Sequence, residues 1–140
     1  MESVLDVERR EARLHALLVD PYAGSREGLR ASLEAEGCLV EATADAPRAL
    51  ALMRAGGFDL AVIDLGLMPA RGIGRSAWSL ARLFRVFNPG APLVLLAAEL
   101  RRELDAEAAG VSPALVLEKP IDLARLRAVV RRLRRETARG

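Results

Sequence analysis

The sequence predicts an α/β fold in which five parallel strands form an open sheet with helices on both faces. Two observations carry this prediction. Five short apolar runs alternate along the chain with longer segments whose apolar residues recur at helical spacing. Three of the short runs are apolar almost throughout, which is typical of parallel strands covered on both faces. Right-handed crossovers between successive strands then give an open parallel sheet.

The five predicted strands are the short apolar runs, which are separated by turn and helix signals. They are LHALLV (14–19), CLVEA (38–42), FDLAVI (58–63), PLVLLA (92–97) and ALVLE (114–118). Because each is followed by a segment of helical period, the chain repeats a strand-then-helix unit five times.

The first two predicted helices carry clear end signals. SREGLRASLEAEG ends at Gly37. DAPRALALMRAGG begins with Asp45 as the N-cap, has Pro47 in its first turn and stops at the glycines that follow.

The other three predicted helices differ in character. SAWSLARLFRVF is broken by Asn88-Pro89-Gly90, and ELRRELDAEAAG predicts a shorter, highly charged helix. The last helix begins at about Asp122 and has an apolar stripe formed by Leu123, Leu126, Val130 and Leu133.

Length and composition indicate one soluble domain. The chain has 140 residues, of which 51% are hydrophobic and 29% are charged. Its charged start and the lack of a long apolar run argue against a secretory signal or a membrane anchor, so we expect a cytoplasmic protein with no membrane partner. We expect residues 1–13 to be an N-terminal extension and residues 14–137 to form the domain. One cysteine, Cys38, and one histidine, His15, give no zinc constellation.

Charged side chains stand at the ends of several predicted strands. Asp20 ends the first strand, Asp64 the third and Lys119 the fifth. Lys119 is the only lysine among 21 basic residues, which suggests a position that requires a compact ammonium group. In open parallel sheets, ligands bind beyond the carboxyl edge of the strands. Two carboxylates and the lone lysine therefore point to a functional site at that edge.

With these residues in place, the span from about Leu14 to Arg135 resembles a receiver domain of the two-component response regulators. The resemblance rests on VD (19–20), FDLAVID (58–64), Gly72, KP (119–120) and the five-fold strand and helix order. It implies a flavodoxin-like doubly wound sheet of order 2-1-3-4-5. It also implies that Asp64 is the phosphoacceptor, that Lys119 contacts the phosphoryl group, and that Asp20, Asp64 and the main-chain carbonyl of Gly66 hold Mg²⁺.

Three positions depart from the pattern of the family. Pro21 stands where a second metal-binding acid is usual, and it offers neither a carboxylate nor an amide hydrogen. Ala97 stands where a Thr or Ser hydroxyl is usual, and Val116 replaces the aromatic residue of the switch. The lost carboxylate and hydroxyl are worth roughly 2 to 4 kcal/mol each when aimed at transition-state charge. We therefore expect weak Mg²⁺ binding and slow phosphorylation.

Three functions follow from these matches and departures. The first is a degenerate pseudo-receiver, a single-domain signalling module that acts by protein–protein interaction with weak or absent phosphorylation. The alternative is a working phosphoacceptor regulator modified at Asp64. In both cases the partner is a sensor histidine kinase or another signalling protein. An enzyme is not expected, because the sequence lacks a G-x-S-x-G elbow, a Walker A loop and a G-x-G-x-x-G run after the first strand.

A lesser alternative is nucleic-acid binding through the arginine-rich last helix. Residues 124–140 hold seven arginines and one glutamate, a net charge of +6, against −4 for the rest of the chain. Such a cluster is most often a solvated helix face, and no aromatic interleaving accompanies it, so nucleic acid is the less favoured partner. The resemblance also implies a homodimer through this helix.

Overall fold

The computed structural model describes residues 3–5, 13–66, 77–101 and 108–139. Within these ranges five strands form one parallel sheet in the order β2-β1-β3-β4-β5, which confirms the predicted fold class. Each observed strand boundary lies within two residues of the predicted one. The strands are β1 (His15–Val19), β2 (Leu39–Thr43), β3 (Leu60–Asp64), β4 (Leu93–Ala97) and β5 (Leu115–Glu118).

Four helices of the described chain are long enough to name. They are α1 (Ala23–Ala35), α2 (Ala46–Ala55), α3 (Ala77–Phe87) and α4 (Leu123–Arg139). The predicted cap of α2 is confirmed, since the Asp45 side chain accepts a hydrogen bond of 2.9 Å from the Arg48 amide. The predicted charged helix over 99–110 lies largely outside the described residues, and only 108–111 are seen as helical.

The sheet is covered on both faces, as the apolar runs predicted. α2 and α3 pack on one face over Leu17, Ile63 and Leu95. α1 and α4 pack on the other face over Leu18 and Val62. Residues of β3 and β4 are buried throughout, because these strands are central and both of their faces contact helices.

One prediction about α4 needs correction. Leu126 and Val130 are fully buried and Leu133 is half-buried, but Leu123 at the start of the stripe is exposed. Leu123 is the first residue of the helix and lies beyond the end of the sheet, so helical spacing alone overestimated the length of the buried stripe. In the described parts of the chain, no helix is long and apolar enough to cross a membrane.

Candidate functional site

The strand ends bring the predicted site residues to one edge of the sheet. Val19 of β1 lies beside Ile63 of β3. The next residue on each strand, Asp20 and Asp64 respectively, therefore lies at one of two neighbouring strand ends. Ala97 of β4 accepts a backbone hydrogen bond of 2.8 Å from the Lys119 amide. Both aspartates are buried, with Asp20 0% and Asp64 1% exposed. The parallel register therefore gathers two buried carboxylates and the lone lysine.

Asp64 and Lys119 form an ion pair. The Lys119 Nζ lies 2.5 Å from the Asp64 Oδ2, and the lysine side chain is 24% exposed. This Oδ2 makes no aligned hydrogen bond with the described residues, so charge attraction is the contact that satisfies it. The other oxygen, Oδ1, accepts a hydrogen bond of 2.7 Å from the Gly66 amide. The structure thus brings Asp64 and Lys119, which lie at the ends of β3 and β5, into direct contact.

Asp20 is engaged by the start of α1. Its Oδ1 accepts a hydrogen bond of 2.9 Å from the Tyr22 amide, and its Oδ2 accepts one from the Ser25 hydroxyl. Its main-chain carbonyl also accepts a hydrogen bond of 2.9 Å from Nη1 of Arg26. A short polar side chain that bonds the following turn in this way orders the entry to a helix. Asp20 therefore fixes the chain between β1 and α1.

The positions that depart from the family pattern also lie at or near this edge. Ala97 ends β4, is buried and presents only a methyl group. Val116 lies in β5 opposite Leu95 and is half-buried against the core under α2 and α3. Pro21 separates Asp20 from α1 and is half-buried. Gly72, which supported the resemblance, lies outside the described residues.

Sequence reasoning missed two residues of the site, Tyr22 and Ser25. The Tyr22 ring lies against the ammonium of Lys119, with Nζ 4.4 Å from the ring centroid. Ser25 holds Asp20, as described above. Both residues follow Asp20 closely in the sequence, and Tyr22 is the only tyrosine of the chain. That proximity to a strand-end carboxylate was the available signal.

The five-stranded 2-1-3-4-5 sheet with Asp64 and Lys119 paired at its carboxyl edge is the arrangement that the resemblance to receiver domains implied. The model of the family described as "Response regulator receiver domain" matches residues 16–131, so the chain belongs to that family. No curated protein matches the chain.

Solved structures of receiver domains share this fold. A CheY-like receiver domain protein from Methanospirillum hungatei JF-1 has a TM-score of 0.77 at 20% identity and covers 91% of this chain and 98% of its own. A two-component response regulator from Clostridium difficile has a TM-score of 0.75 at 21% identity and covers 88% of this chain and 97% of its own. The non-phosphorylated HemR receiver domain from Leptospira biflexa has a TM-score of 0.72 at 26% identity and covers 87% of this chain and 94% of its own.

Receiver domains typically bind Mg²⁺ at this edge, and the carboxylates that could hold it in this chain are those of Asp20 and Asp64. Mg²⁺ prefers oxygen ligands in a near-octahedral arrangement and is usually held by one or two carboxylates with water. Each of the four carboxylate oxygens of Asp20 and Asp64 already contacts an N–H, an O–H or the ammonium group. Pro21 adds no ligand. The described residues contain no group of three or more His, Cys, Asp or Glu side chains suited to a metal.

We expect Mg²⁺ to bind the unaltered protein with a dissociation constant of about 1 mM or weaker, because only Asp20 and Asp64 supply carboxylates. Replacing Pro21→Asp should tighten binding at least about tenfold, since a carboxylate with no partner then faces the edge. An NMR titration with Mg²⁺ measures both constants. Pro21→Asn is the matched control, because it changes the backbone in the same way without the charge. Micromolar binding by the unaltered protein would contradict this account of the site.

Proposed function

We propose that this chain is a degenerate receiver whose output is contact with a partner protein, with weak or absent phosphorylation of Asp64. The observation that carries the proposal is that both oxygens of Asp20 and one oxygen of Asp64 already accept hydrogen bonds from the chain itself. A phosphoacceptor needs an oxygen that is free to attack phosphorus and cations that neutralise the transferring group. Here Asp64 is buried, its Oδ1 is bonded to the Gly66 amide, and Pro21 adds no carboxylate for a metal cation.

Positions 97 and 116 support the same proposal. A phosphoryl group on Asp64 changes the shape of a receiver only if it binds two conformations with different affinity. Ala97 has no hydroxyl with which to bind a phosphoryl oxygen, and Val116 has no ring that changes place between an inner and an outer position. Modification would therefore have little to reorganise beyond Asp64.

The partner in this proposal is a sensor histidine kinase or another signalling protein in the cytoplasm. The proposed domain covers residues 14–137, with residues 1–13 as an extension. Receiver domains are signalling modules, and we assign no catalytic turnover of its own to this chain.

The arginines of α4 support a structural role more than a nucleic-acid site. Arg131 donates two hydrogen bonds to the Glu36 carboxylate, of 2.9 and 3.1 Å, and so ties α4 to the end of α1. These bonds lower the pKa of Glu36, so the carboxylate stays ionised further into the acid range. Arg132 pairs with Glu136 on the same helix. Nucleic-acid binding therefore remains the lesser alternative, and a homodimer through α4 remains part of the proposal.

A second candidate function is phosphorylation of Asp64 as a working switch, and the Asp64–Lys119 pair favours it. In that reaction an Asp64 oxygen attacks the phosphorus of a phosphohistidine. The P–N bond breaks, and its electron pair leaves with the imidazole. Lys119 is placed to neutralise charge on the transferring group.

The two functions predict different responses to beryllofluoride, which mimics an aspartyl phosphate. We expect beryllofluoride with Mg²⁺ to leave the oligomeric state unchanged and to shift only the amides next to Asp64, because positions 97 and 116 lack the groups that relay the change. Asp64→Asn should keep partner binding. Analytical ultracentrifugation and two-dimensional NMR measure these properties. Dimerisation or shifts that reach α4, abolished in Asp64→Asn, would establish the phosphorylation switch instead.

A further inference from the structure

We propose that Tyr22 is a positioning residue that holds the Lys119 ammonium on Asp64. The side chains concerned are the only tyrosine and the only lysine of the chain, and they lie against each other at the functional edge. The proposal concerns the unmodified protein and does not depend on whether Asp64 accepts a phosphoryl group.

The ammonium of Lys119 contacts two groups at once. Its Nζ lies 2.5 Å from the Asp64 Oδ2 and 4.4 Å from the centroid of the Tyr22 ring. A cation within about 6 Å of an aromatic centroid is attracted by the negative face of the ring. The lysine stem is flexible, so a second contact narrows the set of positions that the ammonium occupies. The ring therefore adds a restraint that the carboxylate alone does not supply.

The hydroxyl end of the Tyr22 side chain also lies within the site, next to Gly66. A Cβ atom built on Gly66 would lie 3.3 Å from the Tyr22 hydroxyl and 3.0 Å from the Asp64 Oδ1. A side chain at position 66 would therefore require Tyr22 or Asp64 to move by a few tenths of an ångström. The glycine leaves room for the phenol beside the end of β3.

The backbone around Tyr22 is arranged for this contact. Tyr22 is the N-cap of α1, a position that prefers Ser, Thr, Asp or Asn, and its side chain makes no capping hydrogen bond. Its amide is instead held by Asp20 at 2.9 Å. A residue that departs from the N-cap preference and makes no capping hydrogen bond is expected where the side chain has another role. That role is the contact with Lys119 on the other side of the site.

The carboxylate of Asp64 is neutralised by a fixed ammonium that belongs to the chain. The position that would supply a further metal carboxylate, residue 21, is the proline that leads into Tyr22. Tyr22, whose ring restrains Lys119, is therefore the sequence neighbour of the position that lacks a metal-binding carboxylate.

Because Lys119 is the only lysine, selective ¹³C labelling of lysine gives Cε proton signals free of overlap with the side chains of the 20 arginines. We expect these signals in the unaltered protein to be shifted upfield from their positions in the urea-unfolded protein by the ring current of Tyr22. Tyr22→Phe should keep the upfield shift, because it keeps the ring. Tyr22→Leu should lose it. Tyr22 is 55% exposed, so neither substitution should prevent folding, and circular dichroism checks this.

Acylation of the lysine measures the restraint itself. N-hydroxysuccinimidyl acetate reacts with free amines, and the amino group at the chain terminus serves as an internal reference. We expect Lys119 in Tyr22→Leu to react about fivefold faster relative to that reference, the change that corresponds to about 1 kcal/mol of lost cation–π contact. Tyr22→Phe should react at the unaltered rate. An unshifted Lys119 signal in the unaltered protein, or equal behaviour of the Phe and Leu variants, would overturn the proposal.

Discussion

The double variant Pro21→Asp/Ala97→Thr is expected to phosphorylate at Asp64 at least about a hundredfold faster than the unaltered protein when acetyl phosphate and Mg²⁺ are supplied. Each substitution restores one group that acts on the charge of the transferring phosphoryl group. One preorganised interaction of this kind is worth about 10² to 10³ in rate. Mass spectrometry of the intact protein over time measures the phosphorylated fraction, and Asp64→Asn in the same background sets the zero.

The matched control is Pro21→Asn/Ala97→Val. Asparagine has the shape of aspartate without its charge, and valine has the shape of threonine without its hydroxyl. The control also reports any harm from added bulk at position 97, which is buried. We expect the control to phosphorylate as slowly as the unaltered protein. Equal rates in the Asp/Thr and Asn/Val variants would mean that these two positions do not limit the chemistry.

Lys119→Met is expected to lower the free energy of unfolding by about 2 kcal/mol. The substitution leaves the Asp64 carboxylate buried without its counter-ion, and breaking such a pair costs about 3 to 5 kcal/mol when both partners are fully buried. The expected value is smaller because the Lys119 side chain is 24% exposed and water reaches it. Urea denaturation followed by circular dichroism gives the difference.

A double-mutant cycle assigns the loss to the ion pair. Asp64→Asn/Lys119→Met should be more stable than Lys119→Met alone, because no unpaired carboxylate is left in the site. Lys119→Arg, which retains the charge, should lose less than Lys119→Met. If Lys119→Met unfolds at the same urea concentration as the unaltered protein, the buried pair does not contribute to folding in solution.

The sequence predicted the sheet and the placement of Asp64 and Lys119 at one edge for the same physical reason. Apolar runs mark central parallel strands, and parallel strands place all their carboxyl ends at one edge. Charged residues that follow β3 and β5 therefore lie at the same edge, and side-chain packing decides whether they touch. The cap of α2 was predictable as well, since Asp45 bonds an amide only three residues away.

The behaviour of Asp20 was not predictable in this way. Its position at the end of β1 follows from the apolar run, and the family resemblance makes it a metal ligand. In the structure its oxygens accept hydrogen bonds from the Tyr22 amide and the Ser25 hydroxyl. Which donors a carboxylate accepts from depends on side-chain rotamers and on the exact course of the turn. A strand pattern contains no information on either.

The repeat of strand and helix, the edge that carries the site and the absence of a hydroxyl at Ala97 follow from residue types and their periodicity, because hydrophobic burial and backbone pairing act on whole segments. The strand order came from the family resemblance. The contact between the Tyr22 ring and the Lys119 ammonium depends on the tertiary structure. The two residues are far apart in the sequence, and their contact at 4.4 Å exists only after α1 and β5 have packed on the same sheet. Long-range contacts between single side chains are set by packing in three dimensions, which a one-dimensional pattern does not specify.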